Sequence, residues 1–175
     1  LDRAVSVEGQ AYGGAVERLR LLTLLNELCA EVGVQVTHHD DIRDPAALDD
    51  ADLVIGADGA NSTLRAASSA AFGTQGSELS NAFAWYGAER RHDRPTLSFR
   101  SAGGGAFCAH YYPYTNSMCT FVMECDRAAW DGCGFGAMTD DQRKAFVEQL
   151  YVNDLHGQPL ISNKSEWRNF QPVWN

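Results

Sequence analysis

The 175-residue sequence has no excess of positive charge, no long apolar run and no closely spaced cysteine pair. Its formal net charge of -9 argues against nucleic acid or an anionic membrane surface as a partner, because both are bound through basic patches. No stretch approaches the length of a membrane span, and the first residues do not form a signal peptide. The five cysteines include no CxxC pair, so we interpret them as reduced residues of a cytoplasmic protein.

A metal centre is not expected either. His38 and His39 stand side by side before two aspartates, but adjacent residues on a strand point to opposite faces. No third ligand follows at a spacing typical of a metal site.

The first 72 residues have the pattern of an α/β layer. Apolar residues recur every three or four positions from Ala15 to Val32, which predicts a helix with a wide leucine face. Short strands are predicted at 1–10 and Val34–Val36, and a buried central strand at Leu53–Ile55. A further helix is expected over Thr63–Ala71.

The composition changes after Ala71, where glycines and serines mark a linker. Residues 73–175 then show strand patterns, an antiparallel meander, and a helix beginning at Thr139. Gly103–Gly105 predicts a tight connection within the meander, and Trp167–Val173 a last strand. The expected meander strands are Asn81–Ala88, Thr96–Arg100, Ala106–Tyr114 and Ser117–Cys125.

One strand carries a candidate substrate surface. Alternation over Ala106–Tyr114 places Cys108, His110, Tyr112 and Tyr114 on one face. A row of imidazole and phenol groups can contact an aromatic ligand by stacking and hydrogen bonding. The alternative is an ordinary half-buried sheet face whose tyrosine hydroxyls meet water.

The segment Asp52–Arg65 combines an apolar run, a small-residue turn and a helix start. Taken alone it is compatible with an ordinary strand-to-helix turn. Its order and spacing of Asp58, Gly59, Ser62 and Arg65, however, resemble the fingerprint of the FAD-dependent aromatic-ring monooxygenases, the para-hydroxybenzoate hydroxylase-like family. The resemblance implies that Asp58, Gly59 and Arg65 bind FAD, with Asp58 near its ribose and pyrophosphate.

The first predicted helix carries the resemblance further. Arg18, Leu21, Leu25 and Gly33-Val34 match a family pattern in which the arginine approaches the FAD phosphates. The alternative for Arg18 is an exposed helix charge. The resemblance implies a partial Rossmann-like FAD layer in 1–72, followed by a substrate domain in 73–175 with an antiparallel sheet and flanking helices.

Three later segments are similar to the branch that acts on aryl-CoA thioesters, such as salicylyl-CoA and 2-aminobenzoyl-CoA hydroxylases. They are Phe83–Gly87, Phe107–Tyr114 and Asn163–Phe170. The implied reaction is hydroxylation of a small aromatic substrate with FAD, NAD(P)H and O2, and His110 and Tyr112 would contact that substrate. Two rivals stay open: a nicotinamide-dependent dehydrogenase with a Rossmann unit, and a non-enzymatic module that binds an aryl ligand.

The sequence also departs from the family pattern. The Gly-x-Gly-x-x-Gly turn for the FAD pyrophosphate and the closing Gly-Asp motif are both absent from these residues. We therefore expect a central piece of a longer enzyme that retains no FAD and hydroxylates nothing by itself. The leucine face of Ala15–Val32 should then be exposed, which favours self-association.

Overall fold

The computed structural model describes residues 15–89, 93–162 and 166–174. They divide into two compact units, which are treated separately below. Of the described residues, the larger unit contains 15–23 and those within Ser80–Asn169, and the smaller one contains Leu24–Leu79 and 170–174. The predicted strand at 1–10 lies outside the described residues, and the predicted division at residue 72 stays a prediction.

The larger unit is built on an antiparallel sheet. The strands are β2 (Ala82–Glu89), β3 (Thr96–Ala102), β4 (Gly105–Pro113), β5 (Met118–Cys125) and β6 (Ile161–Ser162), in the spatial order β3-β4-β5-β2-β6. A two-residue strand β7 (Arg168–Asn169) also pairs with β2. The predicted antiparallel sheet is thus confirmed, with the difference that β2 lies beside β5 rather than beside β3.

Two helices flank this sheet. Helix α4 (Arg127–Gly132) begins at Asp126, whose carboxylate accepts a hydrogen bond from Ala129 N at 2.8 Å. Helix α5 (Asp140–Leu150) begins at Thr139, as predicted, because Thr139 and Gln142 form a reciprocal capping box. A 3-10 turn at Phe135–Ala137 lies between them in the chain.

The core of the larger unit lies between one sheet face and these helices. Alternate residues of β2, β4 and β5 point into it, because side chains of a strand alternate between faces. Phe121 stacks on Tyr111 at 5.4 Å between ring centres and meets the ring of Tyr151 edge-on at 5.9 Å. Other fully or nearly fully buried members are Ala84, Phe107, Ala109, Met123, Phe135 and Val147.

The smaller unit contains short elements. They are a 3-10 turn at Pro45–Leu48, helices α2 (Thr63–Ala67) and α3 (Ser69–Phe72), and strands β1 (Gln75–Gly76) and β8 (Val173–Trp174), which pair antiparallel. The single helix predicted over Thr63–Ala71 is interrupted at Ser68, whose φ of -127° and ψ of 31° lie outside the helical region. The last predicted strand is likewise split into β7 and β8.

The predicted central strand at Leu53–Ile55 is wrong for the described chain. These residues form no strand, and Leu53 and Ile55 are 77% and 78% exposed. Val34–Val36 also forms no strand. A strand requires a hydrogen-bonded neighbour, and no described residue pairs with either segment.

Helix α1 (Arg18–Glu31) confirms the predicted helix but buries none of its residues. Its leucines are 40–69% exposed, which confirms the expected exposed leucine face. Self-association through this face stays a prediction. None of the helices in the described chain is long and apolar enough to cross a membrane.

Glycine packing between the β3–β4 turn and α4 yields a stability prediction. A Cβ built on Gly132 would lie 1.8 Å from the carbonyl oxygen of Gly103, which is backbone and cannot rotate away. We expect Gly132→Ala to lower the free energy of unfolding by about 1–3 kcal/mol. Chemical denaturation followed by circular dichroism measures this change.

Gly136→Ala is the matched control. A Cβ at Gly136 meets only Trp130 Nε1 at 3.7 Å, an ordinary contact distance. The control should change stability by less than about 0.5 kcal/mol. Equal losses in the two variants would contradict the proposed glycine contact.

Candidate functional site

The Asp58 turn, residues 56–65 of the smaller unit, is held by its own side chains. The Asp58 carboxylate accepts a hydrogen bond from Thr63 N at 2.7 Å, and Ser62 Oγ accepts one from Arg65 N at 3.1 Å. Both acceptors satisfy backbone N–H groups in the first turn of α2, which otherwise lack intrahelical partners. The predicted helix start at Thr63 is therefore confirmed, with Ser62 as its N-cap.

Asp58 is an exposed carboxylate that stays ionised. Its pKa is lowered from 3.8 chiefly by a hydrogen bond with the Ser62 side chain and then by the Thr63 N–H. Because only Oδ2 binds the Thr63 N–H, the carboxylate keeps acceptor capacity for a ligand. An ionised carboxylate fits a hydroxyl donor, such as that of a ribose, better than a phosphate.

Gly59 and Arg65 complete the turn. Gly59 has a φ of +83°, and a Cβ built on it would have no neighbour within 4 Å, so its Cα faces open space. The Arg65 guanidinium donates to the carbonyl oxygens of Gly59, at 3.4 Å, and Ala60. Arg65 therefore stabilises the turn directly, and its predicted contact with FAD stays a prediction.

Arg18 lies apart from this turn in the chain, at the first residue of α1. It is exposed, and no bond joins its guanidinium to another described residue. This is compatible with a phosphate ligand and equally with the alternative of a solvated helix charge. Its predicted role stays a prediction.

The second candidate site is the outer face of the larger sheet, the face opposite the core. The predicted alternation on β4 is confirmed: Phe107, Ala109 and Tyr111 are buried, whereas His110 and Tyr112 are partly exposed on the outer face. The rings of His110 and Tyr112 lie 5.2 Å apart between centres and are tilted by 55°. The structure thus brings together the two predicted substrate residues.

Strand register extends this face across the sheet. The central row joins Leu97, His110, Val122 and Trp85 on four adjacent strands. The next row joins Phe99, Cys108, Glu124, Phe83 and Arg168. Trp85, Leu97 and Phe99 are 42%, 58% and 63% exposed, whereas Phe83 and Val122 are buried at 6% and 8%. The exposed apolar area of the rows therefore lies at Trp85 of β2 and at Leu97 and Phe99 of β3.

Sequence reasoning did not assign Trp85, Leu97, Phe99 or Glu124 to this surface. Alternation within each strand could have indicated them, because each of the four lies an even number of positions from the outward-facing residues of its own strand. The order of the strands was not available, since the pairing of β2 with β5 joins segments separated by the whole β3–β4 hairpin.

Cys108 is not a reactive thiol at neutral pH. Burial, followed by the nearby Glu124 carboxylate, raises its pKa above 9.0. A protonated thiol is a weak nucleophile, so Cys108 contributes a small apolar surface to the outer face. Among the described residues, no group of three or more histidine, cysteine or acidic side chains could hold a metal ion.

On the inner face of the sheet, a polar cluster centred on Asp154 links strands β3 and β4. Asp154 accepts from Arg100 Nη2 at 2.5 Å and from the Tyr111 hydroxyl at 3.0 Å. Burial, with Asp154 as the second cause, raises the pKa of Tyr111 to about 12, so the phenol stays a donor. Arg100 also lies over the Tyr151 ring at 5.2 Å. These contacts fix β3 and β4, the strands that carry Leu97, Phe99 and His110.

The Asp58 turn gives a prediction for pH dependence. A carboxyl whose folded-state pKa is depressed stabilises the fold above its unfolded-state pKa and loses this contribution as pH falls through the folded value. We expect Asp58 to titrate below 3.8, and Ser62→Ala to shift its midpoint upward by removing the largest cause. Carboxyl carbon NMR over acidic pH measures both midpoints.

Ser69→Ala is the control for this titration, because Ser69 is exposed in α3 and is not among the groups that shift Asp58. An Asp58 midpoint that stays the same in Ser62→Ala and wild type would contradict the described turn.

Comparison with characterised proteins identifies the relatives of this chain. It is 38% identical to salicyloyl-CoA 5-hydroxylase of a Streptomyces species, over 97% of this chain and 35% of the relative. It is 36% identical to 3-hydroxy-4-methyl-anthranilyl-[aryl-carrier protein] 5-monooxygenase of Streptosporangium sibiricum, over 93% of this chain and 42% of the relative. Protodeoxyviolaceinate monooxygenase of Chromobacterium violaceum is 30% identical, over 90% and 43%.

No protein-family model matches the chain. The three relatives nevertheless share an activity class, since each is named as a hydroxylase or monooxygenase. The chain spans between about a third and about two fifths of their length. The resemblance noted in the sequence is thus confirmed over nearly the whole chain, which is similar to part of the salicyloyl-CoA hydroxylase and of the two monooxygenases.

Proposed function

We propose that this chain supplies part of the FAD site and the substrate face of an aromatic-ring monooxygenase. The substrate class is an aromatic acyl group, with aryl thioesters of CoA or a carrier protein as first candidates. The observation that supports this most directly is the outer face, where Trp85, Phe99 and His110 present aromatic surface beside exposed Leu97. Relatives named for a CoA-linked and a carrier-linked aromatic substrate support the same class.

The outer face can hold a planar ring without covalent chemistry. Indole and phenyl rings stack on an aromatic ligand, and burial of the exposed area excludes water from it. The imidazole of His110 and the hydroxyl of Tyr112 can orient a polar ring substituent through hydrogen bonds. We propose that both contact the substrate, whereas the residues of the inner face hold the sheet in shape.

The Asp58 turn fits the hydroxyl-bearing part of FAD. The exposed Asp58 carboxylate would accept from a ribose hydroxyl, and the open Cα of Gly59 permits close approach of the ligand to the backbone. In this proposal Arg18 and Arg65 contribute positive charge towards the phosphates, and residues 1–72 belong to a Rossmann-like layer. When bound and reduced by NAD(P)H, FAD would activate O2, so that one oxygen atom enters the ring and the other leaves as water.

The rival functions receive less support. A nicotinamide-dependent dehydrogenase and a binding module without activity are not favoured by three relatives that are all named as hydroxylases or monooxygenases. The self-association proposed above is independent of this choice.

The cofactor proposal is tested in the protein expressed from its full coding sequence. Asp58→Asn keeps an oxygen acceptor for Thr63 N but removes the charge, so the turn should persist while FAD binding weakens about tenfold. Flavin content after desalting and a titration with FAD measure the loss. Asp41→Asn, at an exposed carboxylate paired only locally with Arg43, is the control. Unchanged FAD affinity in Asp58→Asn would refute the assignment.

The substrate proposal has a separate test. His110→Ala and Tyr112→Phe should raise the KM for an aryl-CoA substrate or uncouple NAD(P)H oxidation from hydroxylation, leaving flavin content unchanged. Losing a single hydrogen bond predicts about a three- to tenfold effect. Arg127→Ala, an exposed residue of α4 paired with Asp131, is the control. Wild-type kinetics in both outer-face variants would contradict the proposal.

A further inference from the structure

Glu124 is a partly buried carboxylate within an otherwise largely apolar surface. It lies on β5 between Phe83 of β2 and Cys108 of β4, and all three side chains belong to the outer face. Among the described residues, none donates a hydrogen bond to the Glu124 carboxylate or forms an ion pair with it. The cation of the same row, Arg168, stands over the Phe83 ring at 5.2 Å instead.

A ligand that covers this surface changes the surroundings of Glu124. The carboxylate is now open in part to water, which can satisfy its acceptor positions. A ring stacked on the central row would displace that water, and an ionised carboxylate left without a donor is strongly unfavourable. A fully apolar ring is therefore a poor occupant, whereas a ring with a donor group replaces the lost water.

The position of Glu124 fits such a contact. Val122 and Glu124 are two residues apart on β5 and point the same way, so Glu124 lies one row, about 7 Å, from Val122. Direct and diagonal neighbours on a sheet face lie within about 8 Å of one another. A ring held between Trp85 and His110 thus has its edge within reach of the Glu124 carboxylate.

We propose that Glu124 determines substrate choice by accepting a hydrogen bond from a hydroxyl or amino group on the aromatic ring. This inference rests on the proposed function and narrows its substrate class to aryl thioesters that carry such a donor. The role is one of binding and specificity: the carboxylate accepts the hydrogen bond, and no bond of the substrate is broken by it.

The experiment compares three probes in the protein expressed from its full coding sequence: 2-hydroxybenzoyl-CoA, 2-aminobenzoyl-CoA and benzoyl-CoA. Dissociation constants come from calorimetry and kcat/KM from substrate-dependent hydroxylation. Wild type should prefer the two donor-bearing thioesters over benzoyl-CoA by about tenfold or more. Glu124→Leu should reduce this preference by at least about tenfold, partly because benzoyl-CoA binds better to the apolar variant.

Two further variants make the result specific. Glu124→Gln keeps the side-chain shape and a neutral acceptor, so it should retain an intermediate preference and controls for misfolding of the leucine variant. Glu89→Gln changes an exposed carboxylate at the far end of the same face of β2 and should leave the preference unchanged.

The outcomes separate this inference from the proposed function. A wild type that binds and hydroxylates none of the three thioesters would refute both. A wild type that prefers donor-bearing rings, with the same preference in folded Glu124→Gln and Glu124→Leu, would overturn the role of Glu124 alone. A preference for donor-bearing rings that is reduced only in the Glu124 variants supports the proposed role of Glu124.

Discussion

The pairing of β2 with β5 is the constraint on which the outer face of the larger sheet depends. Its register runs from Ala82 opposite Cys125 to Glu89 opposite Met118, without a bulge. A slip of one residue would turn Trp85 into the core and expose Tyr86, because the side chains of a strand alternate with a period of two. The same slip would separate Trp85 from the row that contains His110. The aromatic face is thus a consequence of register.

Packing of the inner face into the core stabilises that register. Phe107, Phe121 and Met123 are fully or nearly fully buried, and each such side chain contributes about 1.5–3 kcal/mol relative to exposure. Small residues complete the packing, since Ala84 and Ala109 are fully buried in the same core. The contact between Gly103 and Gly132 also brings the β3–β4 turn directly onto α4. A slipped strand would place polar or charged groups, such as Glu124, into this layer. The free-energy cost of burying a carboxylate therefore disfavours the slipped register relative to the observed one.

The sequence was most informative where structure is decided locally. The strands of the larger unit and the capped start of α5 were predictable, because alternation and the Thr139 capping box act over a few residues. Leu53–Ile55 shows the limit of this reasoning. Its composition is that of a buried strand, yet strand formation requires a partner that composition does not specify. The split between α2 and α3 at Ser68 was missed for a related reason, since no proline or glycine marks it.

The site residues divide in the same way. The Asp58 turn was predictable because its hydrogen bonds, from Thr63 N to Asp58 and from Arg65 to Gly59 and Ala60, all close within a few residues. The outer face was only half predictable. His110 and Tyr112 share one strand, whereas Trp85, Phe99 and Glu124 join them through pairings distant in the chain.

This difference has a physical consequence for the two sites. Hydrogen bonds between near neighbours in the chain can form early and persist when distant parts of the fold are altered. A surface made by register exists only when the whole sheet is formed. Substitutions in the core that loosen β2 against β5 should therefore disperse the aromatic face while the Asp58 turn keeps its caps. The outer face is in this sense a property of the folded sheet, whereas the geometry of the Asp58 turn is a property of its own ten residues.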